Sequence, residues 1–139
     1  MKKEPVIEFK TVAEAKKYLD EWQHRLYLDD WIIGLFLVDG EEIPGDRGRT
    51  EIVFTHKSAM IRLARHDEHN RDRIVKHCHE TSLVHELLHC KYDLDIFDET
   101  WEGRYAELYE HAYVEQMARS LIMAKYGLKP EWWNNVKEE

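Results

Sequence analysis

His85-Glu86-Leu87-Leu88-His89 is an H-E-x-x-H pattern set in the apolar run 82–90. On an α-helix, residues four apart lie one above the other on one face. Both imidazoles are therefore expected to reach the same metal ion. Glu86 lies about 100° round from His85 and about 60° from His89. It is too far round to complete the chelate, and well placed to reach a water that the metal activates. Two neutral imidazoles, a Zn²⁺ ion and a nearby carboxylate base are the parts of zinc-dependent hydrolysis.

Nine histidines in 139 residues make chance occurrence a real risk, so the surroundings matter. No Pro or Gly falls between Asn70 and Gly103 to break the helix. Leu83, Val84, Leu87, Leu88 and Cys90 cover the rest of its circumference, so the helix is expected to be buried nearly all round. Two His and a Glu there are costly without partners, and a metal would supply one. The alternative is a pair of satisfied core histidines beside an ordinary carboxylate.

A catalytic zinc needs a third protein ligand and one open position. The helical pattern 101–122 carries an apolar stripe of Val114, Met117, Ala118 and Leu121. Glu110 and Glu107 extend it, each within about 30° of its centre, whereas His111 is about 70° off and Glu115 about 110° off. Glu110 is the first choice for the third ligand and His111 the rival. His111 and Glu115 form an i, i+4 pair, in which Glu115 could orient a ligand histidine. His111, Tyr109 and Tyr113 are candidates for a second electrophile at the oxyanion.

These two segments, His85-Glu86-Leu87-Leu88-His89 and then Glu110-His111-x-x-Val114-Glu115-x-x-Ala118-x-x-Leu121, resemble the gluzincin type of zincin metallopeptidase. The resemblance is strongest to the small single-domain minigluzincins of phages and bacteria, and covers mainly residues 50–122. It implies zinc held by the two motif histidines and a glutamate of the following helix, with the motif glutamate as general base. The larger gluzincins carry Glu-x-x-x-Asp on that second helix. Here Glu110 is followed four on by Val114, and His111 by Glu115. The resemblance also implies an edge strand just before the motif helix that pairs with extended substrate, a place residues 57–65 would take. The other reading of 57–65 is an edge strand protected by its Arg and Lys.

The elements that position these groups follow from pattern. Thr11-Val12-Ala13-Glu14 is a capping box opening a helix over 11–27, with Val12, Ala15, Leu19, Trp22 and Leu26 on its inner side. Strands are expected at 31–38, 50–54 and 57–65, where Ala59, Ile61 and Leu63 alternate with Ser58, Met60, Arg62 and Ala64. A loop with Pro44, Gly45 and Gly48 lies between the first two strands. A polar loop, 66–73, leads into the motif helix. His77-Cys78-His79 is read as partly exposed helix, because adjacent helical positions point about 100° apart and do not converge on a metal. Gly127 is a C-cap, Pro130 ends the last helix, and Trp132-Trp133 pack back on the body. The expected fold is α+β and zincin-like: an N-terminal helix, a small mixed sheet of about three strands, the long motif helix and a second ligand-bearing helix. All of it forms one domain, 1–139.

Composition narrows the function. The chain is 43% hydrophobic and 35% charged, with a net charge of −8, which disfavours nucleic acid. No stretch reaches transmembrane length and no signal peptide or pro-segment is evident. Cys78 and Cys90 are too few for a disulfide framework and are expected as free thiols in the cytoplasm. The expectation is a cytoplasmic zinc peptidase acting on a peptide or protein. Its rivals are a regulatory protease that cleaves one repressor-type partner, and a non-catalytic zinc-stabilised interaction module.

Overall fold

In the computed structural model, which describes residues 4–67, 74–92 and 101–136 (side chains of 92 and 101–110 excepted), Thr11 opens the first helix in extended backbone. Its hydroxyl accepts from Glu14 N at 3.1 Å. The reciprocal bond of the expected capping box is shifted by one residue, because Glu14 accepts from Lys10 N at 3.0 Å. The helix α1, Val12–Arg25, buries Ala15, Leu19 and Trp22, while Val12 stays 42% exposed.

Three strands follow: β1 (Ile32–Val38), β2 (Gly48–Val53) and β3 (Ser58–Ala64). They form one mixed sheet in the order β1-β3-β2, with β3 parallel to β1 and antiparallel to β2. Residues 57–65 are thus the central strand, not the edge. Alternation of Ala59, Ile61 and Leu63 reports which face is buried, and it says nothing about a strand's lateral place. Leu35 and Leu37 share the buried face with them.

The motif helix is α2, His79–Tyr92, and it packs on β2, β3, α1 and the final helix α3, Trp101–Tyr126. The architecture is α+β: an N-terminal helix, a three-strand mixed sheet, then two helices packed together. As expected, α2 is buried nearly all round, with Leu83, Val84, Leu87, Leu88 and Cys90 each at most 3% exposed. Both cysteines are free and buried. Among the described residues, no helix is long and apolar enough to cross a membrane. Gly127, at φ 66, ends α3 as its C-cap, and the turn Pro130–Trp133 folds back so that Trp133 is buried.

The start of α2 departs from expectation. His77, Cys78 and His79 are buried at 0%, 2% and 0% exposure, and only His79 is helical. The cover comes from the N-terminal segment, whose Val6 and Ile7 carbonyls accept from Glu80 N and His79 N. Glu80, fully buried, collects Val6 N, Trp22 Nε1, Lys125 Nζ and the Tyr126 hydroxyl at 2.6–3.0 Å. One carboxylate thereby ties α1, α3 and the N-terminal segment to the first turn of the motif helix. Breaking such a pair strands a buried charge.

His79 has both ring nitrogens engaged. Phe9 N donates to Nδ1 at 2.9 Å, so Nε2 carries the proton and donates to the Ala64 carbonyl at 2.7 Å. Burial pushes its pKa from 6.5 down to about 4. The unfolded chain therefore binds a proton as pH falls through 6.5, whereas the folded chain does not until about 4. Stability is complete above 6.5 and is lost as pH falls, by about 3 kcal/mol from this one group. Urea unfolding of the native protein and of His79→Gln across that window is expected to show a shallower pH slope in the variant. Equal slopes would remove His79 from the acid sensitivity.

Candidate metal centre

His85 and His89 sit one turn apart on α2, and His111 faces them from α3. One ligand nitrogen from each lies within 4.8 Å of the others. The ring centroids are 4.8–5.5 Å apart. A tetrahedral zinc with three imidazoles needs its nitrogens about 3.3 Å apart, so the side chains would have to draw closer to hold one. Three neutral imidazoles suit zinc among the common metals. Among the described residues, His85 is buried, His89 half-buried and His111 exposed.

His111, the rival of Glu110 in the sequence, faces His85 and His89 from α3. The residues of α3 buried in the core are Val114, Ala118 and Ile122, while Met117 is 37% exposed. That turns the stripe centre by about 50° from the expected line, and leaves His111 about 20° from it. The side chains of Glu107, Tyr109 and Glu110 lie outside the described residues. Tyr113 is 70% exposed and does not join the cleft wall.

Glu115, expected beside His111, approaches His85 instead. Its carboxylate lies 3.5 Å from His85 Nδ1. A proton on Nδ1 directed at Glu115 leaves the Nε2 lone pair for a metal. Burial pulls the His85 pKa down, but the Glu115 bond and the charges of Glu86 and Glu115 outweigh it and hold the pKa above its ordinary value. Burial likewise raises Glu115, and the opposing bond to His85 with the charges of His85, Arg119 and Arg47 keeps its carboxyl below the usual range. His89, by contrast, is held at about 4 by burial and by its two histidine neighbours.

Glu86 leaves the ligand face, as its place in the motif requires, and leans toward β2. Thr50 Oγ1 donates to its Oε1 at 2.5 Å. A Cβ at Gly48 would come within 3.0 Å of Oε2 and 3.2 Å of Cγ, so a side chain there would press on the Glu86 carboxylate. Burial raises the Glu86 pKa before any metal charge acts on it. Thr50 and Gly48 had no sequence signal, since nothing local marks a strand residue that faces a helix thirty-odd positions away.

The trio opens into a cleft of about 540 Å³, lined also by residues 45–50, Arg119 and Trp133. A second group, His66, His77 and His79, also brings ligand nitrogens within 4.8 Å. Its His66 and His77 rings are stacked at 3.9 Å. His79 has no lone pair to give while it holds Phe9 and Ala64, so we read this group as core packing. No protein-family model, curated protein or solved structure matches the chain.

Proposed function

We propose that this chain is a zinc-dependent peptidase of zincin-like type, with His85, His89 and His111 holding the metal and Glu86 as the general base. The observation that carries the reading is the convergence of three histidine nitrogens at the mouth of a cleft that Glu86 also lines. A structural zinc site is closed by four protein ligands, whereas a catalytic one keeps a position open. The exposure of His111 and the adjoining cleft favour the second kind.

When bound, zinc supplies Lewis acidity that brings a water's pKa toward 7 and polarises a carbonyl. The rest falls to the chain. Glu86, fixed by Thr50, takes the proton from the attacking water and delivers it to the leaving amine. Glu115 keeps His85 in the tautomer that can ligate. Substrate pairing passes from β3, which has neighbours on both sides, to β2. Among the described residues that antiparallel strand pairs only with β3, and it lies beside Glu86. An extended peptide added to its free edge would run past the cleft.

The deciding experiment is elemental analysis of the purified protein with and without added zinc, followed by hydrolysis of a mixed peptide library read by mass spectrometry. About one zinc per chain with cleavage that a chelator stops is the expected result. No metal after zinc addition would overturn the reading. A metal without cleavage would turn it toward the metal-stabilised interaction module.

A further inference from the structure

The inner wall of the cleft has a chemistry that metal binding does not use. Trp133 lines it at 6% exposure, and its indole N–H is buried with no acceptor among the described residues. An indole nitrogen is a donor only, so a carboxylate that reached it would fill an unused hydrogen bond. Beside it, the Arg119 guanidinium lies 5.8 Å from the Trp133 ring centroid. Lys76 Nζ sits 4.1 Å over the ring of Trp132, which meets Trp133 edge-on. The backbone joins the two sides, with Lys76 N donating to the Trp133 carbonyl at 2.9 Å.

The cations are placed mostly by aromatic faces. Among the described residues the carboxylate paired with Arg119 is Glu115, at 3.9 Å, which also serves His85. Arg119 has five N–H donors and keeps several for a second acceptor. Arg47 adds positive charge along the same wall, while Asp46 faces Arg49 at 2.7 Å. A chain with net charge −8 repels anions in general, so a cation-lined wall here is a local arrangement for a negative ligand.

We propose that Arg119, Trp133 and Lys76 form a carboxylate subsite in the cleft, so that the peptide it takes carries a carboxylate on the residue seated there. The carboxylate belongs either to an acidic side chain or to the peptide's own C-terminus. This deepens the peptidase reading by naming its substrate class, and binding alone tests it.

The probe is a capped alanine pentapeptide with Glu, Gln or Lys at its centre and an amidated end, together with the Gln peptide bearing a free C-terminal carboxylate. Affinities are measured by calorimetry on Glu86→Gln protein supplied with zinc, so that nothing is cleaved. The Glu peptide or the free-acid peptide is expected to bind about tenfold more tightly than the amidated Gln peptide, and Lys most weakly. Whichever of the two wins identifies the source. The margin should collapse in Arg119→Gln, and in Trp133→Phe, which keeps the ring packing and removes the N–H. Equal affinities, no binding of any peptide, or a preference untouched by both substitutions would overturn the subsite. A preserved preference with no cleavage by the native protein would overturn the peptidase reading and leave the subsite standing.

Discussion

Glu86→Gln is expected to retain one zinc per chain and to lose peptide hydrolysis by about 10²–10⁴-fold, the range that a positioned general base contributes. The amide has the shape of the carboxylate and keeps an oxygen for Thr50 Oγ1 to donate to, so the local geometry at Gly48 and β2 is preserved. What it lacks is a lone pair basic enough to take a proton. Glu86 is 6% exposed, and burying its charge costs free energy that a neutral amide avoids. The variant should therefore unfold at the same temperature as the native protein or a higher one. That combination separates a base from a structural group. Lost metal and a lower melting temperature would place Glu86 in the scaffold, and retained hydrolysis would remove it from the mechanism.

Both halves of this expectation depend on groups that local pattern reveals unequally. The H-E-x-x-H spacing is a property of one helix, and the fully apolar surround of Leu83, Val84, Leu87 and Leu88 was legible because burial on all sides leaves no polar face. The three strands and the C-cap at Gly127 were legible for the same reason, since each is written within a few residues. The facing of α3 was not. Taking Met117 and Leu121 into its stripe pointed it toward Glu110, whose side chain lies outside the described residues, whereas the core takes Val114, Ala118 and Ile122 and His111 faces His85 and His89. Choosing between overlapping stripes needs the neighbouring helix, which a helical wheel does not contain. His77–His79 failed in a similar way: their cover is the segment around Val6 and Phe9, some seventy residues earlier, held by backbone bonds and by the His79 and Glu80 side chains, a pairing that no local pattern marks. The central place of β3 likewise depends on β1 crossing past β2 in sequence to pair with it. Tertiary partners, not propensity, decided each of these.

The choice of His111 over Glu110 has the second large consequence. His111→Ala and His89→Ala are each expected to weaken zinc by more than the roughly 10–100-fold that loss of an outer partner costs, while Glu115→Gln should fall within that range. Glu110→Gln should change affinity little, because three histidines with one open position already complete a catalytic set. Competition against a chromophoric chelator ranks the four variants directly. The pH profile adds a check that rank alone lacks. In the metal-free protein burial lowers the His85 pKa, but the Glu115 bond and the charges of Glu86 and Glu115 together raise it above 6.5, so protons compete with zinc at His85 as pH falls through that raised value. Removing the Glu115 charge lowers that pKa, so the acid fall-off in Glu115→Gln should move to lower pH even as its plateau affinity drops. His89, at about 4, contributes nothing to competition near neutrality. A Glu110→Gln loss as deep as that of His89→Ala would return the third ligand to Glu110. An unshifted acid limb in Glu115→Gln would mean that the 3.5 Å contact with His85 does not survive metal binding.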